Sequence, residues 1–368
     1  MSYGAYWRPG DPPGQRQLAS LFDSTPLRLE SGAQLGRIHI AYEHWGRLAP
    51  DRSNAVLLLH GFTGDSHAAG PPGPGHPAEG WWDGLVGPGK ALDTERYYVV
   101  CPNVLGGCQG STGPASLAAD GQAYGSRFPA LTIRDLVAAD LALAKHLRIN
   151  RWRAVIGGSL GGMRALEWAI SYPDAVESLV VLASTARCSP ETIAFHTTQI
   201  QAISLDPHFL GGDYYLSPWG GPRAGLALAR AIARLTYGCS LELNGRFVAH
   251  PHAPIKAEVV EHFLADEGEQ LVRRFDPNSY ITLTRAMNGH DVGRGRGGIP
   301  AALERITAAA TVVSVSSDRL FPCSEQQQLA EAIPRGARFS SLESDLGHDG
   351  FLGEEQQLDR LLRQALAR

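Results

Sequence analysis

Residues 155–163 read Val155-Ile156-Gly157-Gly158-Ser159-Leu160-Gly161-Gly162-Met163. A short apolar, β-branched run enters a Gly-x-Ser-x-Gly turn, and a helical pattern leaves it. A serine at the centre of such a strand–turn–helix unit is a nucleophile elbow, with its hydroxyl exposed at the end of a sheet. The residues two before and two after it, Gly157 and Gly161, must lack side chains because the turn is sharp and its backbone strained. The helix that follows points its positive end at the site. No Lys-Ser/Thr pair follows the glycines, so a phosphate-binding loop does not fit.

A parallel sheet demands a large core, and the composition allows one. The 368 residues are 43% hydrophobic and 19% charged, enough for one large α/β domain with an insertion or for two ordinary domains. The net charge of −4 comes without a basic block, so nucleic acid is not an expected partner. No stretch approaches the roughly 18–20 apolar residues of a membrane helix. The opening residues carry no apolar run of the signal-peptide kind, and the five cysteines are odd in number and scattered, with no C-x-x-C. A reducing, cytoplasmic setting is expected.

Residues 1–25 are rich in Gly, Pro and polar side chains and read as a loose arm. Residues 27–45 read as a β-hairpin turning at Ser31-Gly32. Residues 55–59, 97–100, 154–156 and 179–182 are strands, separated by a Gly/Pro-rich loop over 70–80 and an amphipathic helix over 132–147. The helix after the elbow spans 160–171. Strands alternating with helices argue for a parallel sheet. From about 189 to 303 the strand pattern stops, and residues 224–235 and 258–275 read as helices. Strand character returns at 311–315. A helix over 325–333 follows, with Ser324 and Gln327 spaced as a capping box, and a last helix starts near Glu354. The predicted division is an arm (1–25), a catalytic core (26–187 and 304–368) and a helical lid insertion (188–303).

A serine nucleophile needs a base, and the base needs an orienting carboxylate. In the fold class that uses this elbow, the α/β-hydrolase fold, the chain order is Ser, then Asp or Glu, then His. Asp318 follows the strand ending at Val315. His348 lies in the loop Leu346-Gly347-His348-Asp349-Gly350, before the final helix. The oxyanion of a tetrahedral intermediate would rest on the backbone N–H of Leu160 and on an N–H from the loop His60-Gly61-Phe62-Thr63-Gly64, with Phe62 the expected donor. His60 and His67 are read as shaping that loop. His250-Pro251-His252 has no carboxylate or cysteine at metal-site spacing, so no metal is expected. Cys108 lies in a Gly-rich loop but lacks the strand–turn–helix context of Ser159. The segment Arg294-Gly295-Arg296-Gly297-Gly298 is a single RGG-like copy and reads as a structural loop or the edge of a ligand site.

Six segments resemble the homoserine O-acetyltransferase family: residues 60–67 (HGFTGDSH), 103–114 (NVLGGCQGSTGP), 128–135 (FPALTIRD), 157–168 (GGSLGGMRALEW), 274–280 (RFDPNSY) and 347–352 (GHDGFL). The resemblance runs from about residue 27 to the end. It implies transfer of acetyl from acetyl-CoA, a co-substrate, to the hydroxyl of L-homoserine, early in methionine biosynthesis, with no cofactor. It implies the triad Ser159, Asp318 and His348, substrate binding by Arg230 and Asp349, and a homodimer joined through the lid. A carboxylate and an ammonium on homoserine suit one Arg and one Asp. The family often has Ala-Leu at Gly61-Phe62 and Arg-Ser at Gly238-Cys239. Succinyl-CoA as donor, serine as acceptor, a serine esterase and a catalytically dead hydrolase fold remain as alternatives.

Overall fold

The computed structural model describes residues 6–247 and 256–367. Eight strands form one sheet: β1 (Gln17–Leu21), β2 (Ile38–Trp45), β3 (Ala55–Leu59), β4 (Tyr98–Pro102), β5 (Ala154–Gly158), β6 (Ser178–Leu182), β7 (Ala309–Val315) and β8 (Arg338–Leu342). Their spatial order is β1-β2-β4-β3-β5-β6-β7-β8. β2 pairs antiparallel with β1 and β4, and the remaining pairs are parallel. The mostly parallel sheet expected from the sequence is present.

Successive side chains of a strand point to opposite faces, so a strand apolar at every position needs cover on both. In β3, Leu57 and Leu59 enter one apolar cluster and Val56 and Leu58 the other. Helices α1 (Ile133–His146) and α2 (Leu160–Ser171) supply core residues to the first. Thr132 and Asp135 close a reciprocal capping box at the start of α1. Between β6 and β7 run α3 (Pro190–Ser204), α4 (Arg223–Tyr237), α5 (Ser240–Phe247), α6 (Ala257–Val272), α7 (Pro277–Asn288) and α8 (Ile299–Leu303). Two longer helices, α9 (Cys323–Glu331) and α10 (Glu355–Leu366), flank β8 in sequence, with a single turn at Gly350–Gly353 ahead of the second. Leu358, Leu362 and Leu366 of α10 cover the second face.

Four local expectations are corrected. The loose arm gives way at Gln17–Leu21, which hydrogen-bonds along β2 as the edge strand of the sheet. The hairpin over 27–45 splits: Leu27–Arg28 pairs with Gln34–Leu35 in a separate ribbon, while Ile38–Trp45 joins the main sheet. Arg338–Leu342 forms an unforeseen edge strand on β7. The helix at 323 has Pro322 at its N-cap and no side-chain cap, so the Ser324/Gln327 box does not form; Gln327 bonds Glu331 instead. A proline ahead of the first turn starts the helix without it.

Candidate active site

Strand β5 ends at Gly158 and α2 begins at Leu160, which leaves Ser159 alone on the turn with φ 56° and ψ −121°. A non-glycine residue held there stores roughly 1–3 kcal/mol of strain. The strain sits on Ser159 itself. Gly157 and Gly161 are needed for close approach: a Cβ on Gly157 would meet the Gly161 carbonyl, and one on Gly161 the Leu59 carbonyl. Two donors fasten the turn, since the Ser184 hydroxyl and the Met163 amide both reach the Ser159 carbonyl, at 2.8 and 3.1 Å.

Asp318 stands three residues beyond β7. Its Oδ1 accepts from the Leu320 and Phe321 amides at 2.8 and 3.0 Å, which aims Oδ2 at His348 Nδ1, 2.8 Å away. His348 Nε2 lies 2.9 Å from Ser159 Oγ. A neutral imidazole that donates Nδ1–H to the carboxylate turns its Nε2 lone pair to the hydroxyl. All three side chains are buried. Burial disfavours charge on His348, but the field and hydrogen bond of Asp318, with the field of Asp349, hold its proton affinity above the ordinary histidine value. Rings of Tyr237, Phe321 and Phe351 surround it at 5.3–5.7 Å.

Phe62 and Leu160 flank the serine and are buried. Among the described residues neither backbone N–H has a hydrogen-bond partner. His60 helps to direct the first of them, a role sequence reading put no further than shaping the loop. The Val104 amide donates to His60 Nε2 at 3.0 Å, so the ring proton sits on Nδ1 and is donated to the Gly61 carbonyl at 2.7 Å. That carbonyl also accepts from the Gly64 amide at 3.1 Å and shares a peptide plane with the Phe62 N–H, so His60 and Gly64 together set the direction in which the N–H points. Burial, with the charge of Arg164 added, pushes His60 down to about 4, and the ring stays neutral. The Phe62 ring meets Tyr280 edge-on at 4.6 Å, and Arg274 donates to the Thr63 carbonyl at 2.6 Å.

Arg230 on α4 and Asp349 line one cavity of about 560 Å³ together with Ser159 and His348. Arg230 is paired with Glu267 of α6 at 2.9 Å and lies over the Tyr237 ring at 5.6 Å. Arg164, next to the elbow, is committed elsewhere: it is wholly buried and bonds Asp140 at 2.6 and 3.2 Å. Arg294 pairs with Glu30, and Arg296 with the buried Glu167 and with Ser171, so this loop has a structural role. Cys108 is buried, and burial pushes its thiol well up, which suppresses the nucleophilic thiolate. Cys239, one of the family departures, bonds the Asp345 carbonyl behind the His348 loop at 3.0 Å.

The described residues include one three-membered group of possible metal ligands, Glu43, His67 and His76. Its imidazoles stack 3.8 Å apart with planes 11° from parallel. Their lone pairs lie in those planes and do not converge on one ion. Glu43 instead accepts from Ser66 and from His67, at 2.8 and 2.9 Å. His250 and His252 lie outside the described residues.

A family model of the alpha/beta hydrolase fold matches residues 54–355. The chain is 53% identical to the homoserine O-acetyltransferase of Thermobifida fusca, over 98% of this chain and 96% of that protein. The solved homoserine O-acetyltransferase of Bacillus anthracis is 28% identical, with a TM-score of 0.86 over 96% of this chain and 97% of that one. An acetylester hydrolase of Corynebacterium glutamicum, 27% identical, gives 0.83 over 97% of each.

Proposed function

We propose, from the premise that the chain belongs to the homoserine O-acetyltransferase family of the α/β hydrolases, that it transfers acetyl from acetyl-CoA to L-homoserine, giving O-acetyl-L-homoserine and CoA. The observation that carries this reading is the shared cavity: the Ser159–His348 pair opens on the same space as Arg230 and Asp349. An ester hydrolase of simple acyl groups has no need of a cation and a carboxylate facing the cavity of its nucleophile. A zwitterionic acceptor does, with its carboxylate on Arg230 and its ammonium on Asp349. The fold alone does not separate the two activities, because a transferase and a hydrolase superpose on this chain almost equally well.

The chemistry is a double displacement. His348 Nε2 takes the Ser159 proton as Oγ attacks the thioester carbonyl, and the oxyanion rests on the Phe62 and Leu160 amides. The intermediate collapses with cleavage of the C–S bond, and CoA leaves as a thiol with the proton from His348. The homoserine hydroxyl then gives its proton to His348 and attacks the acetyl-serine carbonyl. Cleavage of the ester returns the proton to Ser159 Oγ. Side chains and backbone amides carry every step without a cofactor. Residues 188–303 act as a lid that excludes water, so that transfer outruns hydrolysis. Arg164, which follows the elbow in sequence, is spent on Asp140 and is not among the residues that line the cavity, so it offers nothing to a succinyl carboxylate.

The enzyme works in the cytoplasm as a homodimer joined through the lid. Among the described residues no helix is long and apolar enough to cross a membrane. Leu205, Leu216 and Trp219 are 77–86% exposed, and a second copy would cover them.

Steady-state CoA release, with acetyl-CoA or succinyl-CoA crossed with homoserine, serine and water, tests the reading. Fast release with acetyl-CoA plus homoserine alone is the expected result. Equal release with water identifies a hydrolase, and preference for succinyl-CoA or serine overturns the substrate pair.

A further inference from the structure

Arg230 does not reach the cavity unaided. Its Nε and Nη2 both donate to Glu267 Oε2, at 3.3 and 2.9 Å. Those two nitrogens form one edge of the planar guanidinium. The end-on edge, made by Nη1 and the second Nη2 hydrogen, takes no partner among the described residues. Glu267 therefore occupies one fork of the cation and leaves the other for a bidentate carboxylate. The other Glu267 oxygen lies 3.8 Å from Arg234 Nε, which keeps the carboxylate from swinging away from α4.

The backbone builds this pair. Gly268 follows Glu267, and a Cβ there would stand 2.9 Å from the Ala227 carbonyl and Cβ. The missing side chain lets α6 close on α4 within one turn of Arg230. Tyr237, lying under the guanidinium, is a further wall. Burial opposes the charge of Arg230, but Tyr237, Glu267 and Asp349 together hold it firmly protonated.

We propose that Glu267 is a positioning residue for the amino-acid acceptor: it holds Arg230 side-on so that the end-on fork faces the α-carboxylate of the substrate. It rests on the reading of Arg230 as the carboxylate ligand. Glu267 touches neither the thioester nor Ser159, so its loss weakens the second half-reaction and spares the first.

The test is Glu267→Gln beside Arg230→Lys in the full-length protein. Homoserine KM is read from CoA release, and the donor half-reaction from acetylation of Ser159 by acetyl-CoA alone. Glu267→Gln keeps the shape and removes the charge. It is expected to raise homoserine KM by about tenfold, the size of one charge-assisted contact, and to leave Ser159 acetylation within about twofold. Glu267→Asp, which keeps the charge on a shorter stem, is expected to recover part of the loss and serves as the readout should the glutamine variant not fold. Unchanged homoserine KM in Glu267→Gln with a raised KM in Arg230→Lys overturns the positioning role and keeps the Arg230 reading. Unchanged KM in both overturns that reading as well. A loss of the same size in both half-reactions means a collapsed lid and also overturns the proposal.

Discussion

Ser159, Asp318 and His348 stand on turns at or beyond the sheet, whereas Arg230 stands on a helix of the insertion. Ser159 and His348 line the same cavity as Arg230, but the two groups are held differently. Every polar side-chain atom of the triad is held by a short bond from within it or from a neighbouring backbone amide, and the three residues are 3–6% exposed. The Arg230 and Glu267 side chains are 17% and 20% exposed and are held by each other. Atoms that must be placed to within a fraction of an ångström stand at the sheet, and under the proposed reading the acceptor is gripped from both sides, its ammonium by Asp349 beside His348 and its carboxylate by Arg230 on a helix of the insertion. The same sheet can then carry transferases and hydrolases.

The sharpest way to break this contrast is Ser159→Ala. Removing the nucleophile is expected to lower acetyl transfer at least about 10⁴-fold while circular dichroism stays native; a smaller loss would mean that Ser159 is not the acyl carrier. Asp318→Asn comes next, with an expected loss of about 10³–10⁴-fold in kcat. It also carries a pH signature. The free base of His348 is the active form, and Asp318 holds its proton affinity up, so wild-type activity rises with pH along a limb above the ordinary histidine value. Removing the carboxylate's charge moves that limb to lower pH. A limb that stays in place would contradict the His348–Asp318 assignment.

On the helical side the effect is smaller and of another kind. Arg230→Lys exchanges a fork for a point charge and is expected to raise homoserine KM by about 10–100-fold. The rate of Ser159 acetylation is expected to hold, measured as CoA released in a single turnover. The smallest effect belongs to Gly61→Ala, one residue before Phe62 in the oxyanion loop. Its Cβ would lie 3.4 Å from the Phe351 ring, an ordinary contact, so kcat is expected within about threefold of wild type. A large loss there would mean that the oxyanion loop tolerates less than the geometry indicates.

The sequence made the sheet-borne half legible, because chemistry there is tied to local spacing. The glycines around Ser159 point to the fold class, and its chain order of Ser, Asp and His then picks out the loops after β7 and before the last helix. Long-range pairings left no such trace. Gln17–Leu21 becomes a strand only because β2 offers an unpaired edge, and its buried residues are just Ala19 and Leu21. Arg338–Leu342 is half-buried along most of its length and has little apolar alternation to read. Glu267 lies 37 residues from Arg230 and meets it through helix packing alone. Nor does the separation of His60 from Val104 show that the ring helps to fix the Phe62 amide.

Acyl transfer through Ser159 is the claim on which everything else rests, and one experiment reaches it directly. The protein is mixed with acetyl-CoA in the absence of acceptor, quenched, and examined by intact mass and peptide mapping, then chased with homoserine or with buffer. The account predicts one acetyl group, on Ser159, discharged far faster by homoserine than by water. An unacetylated Ser159, or an acetyl-serine whose lifetime homoserine leaves unchanged, would contradict it.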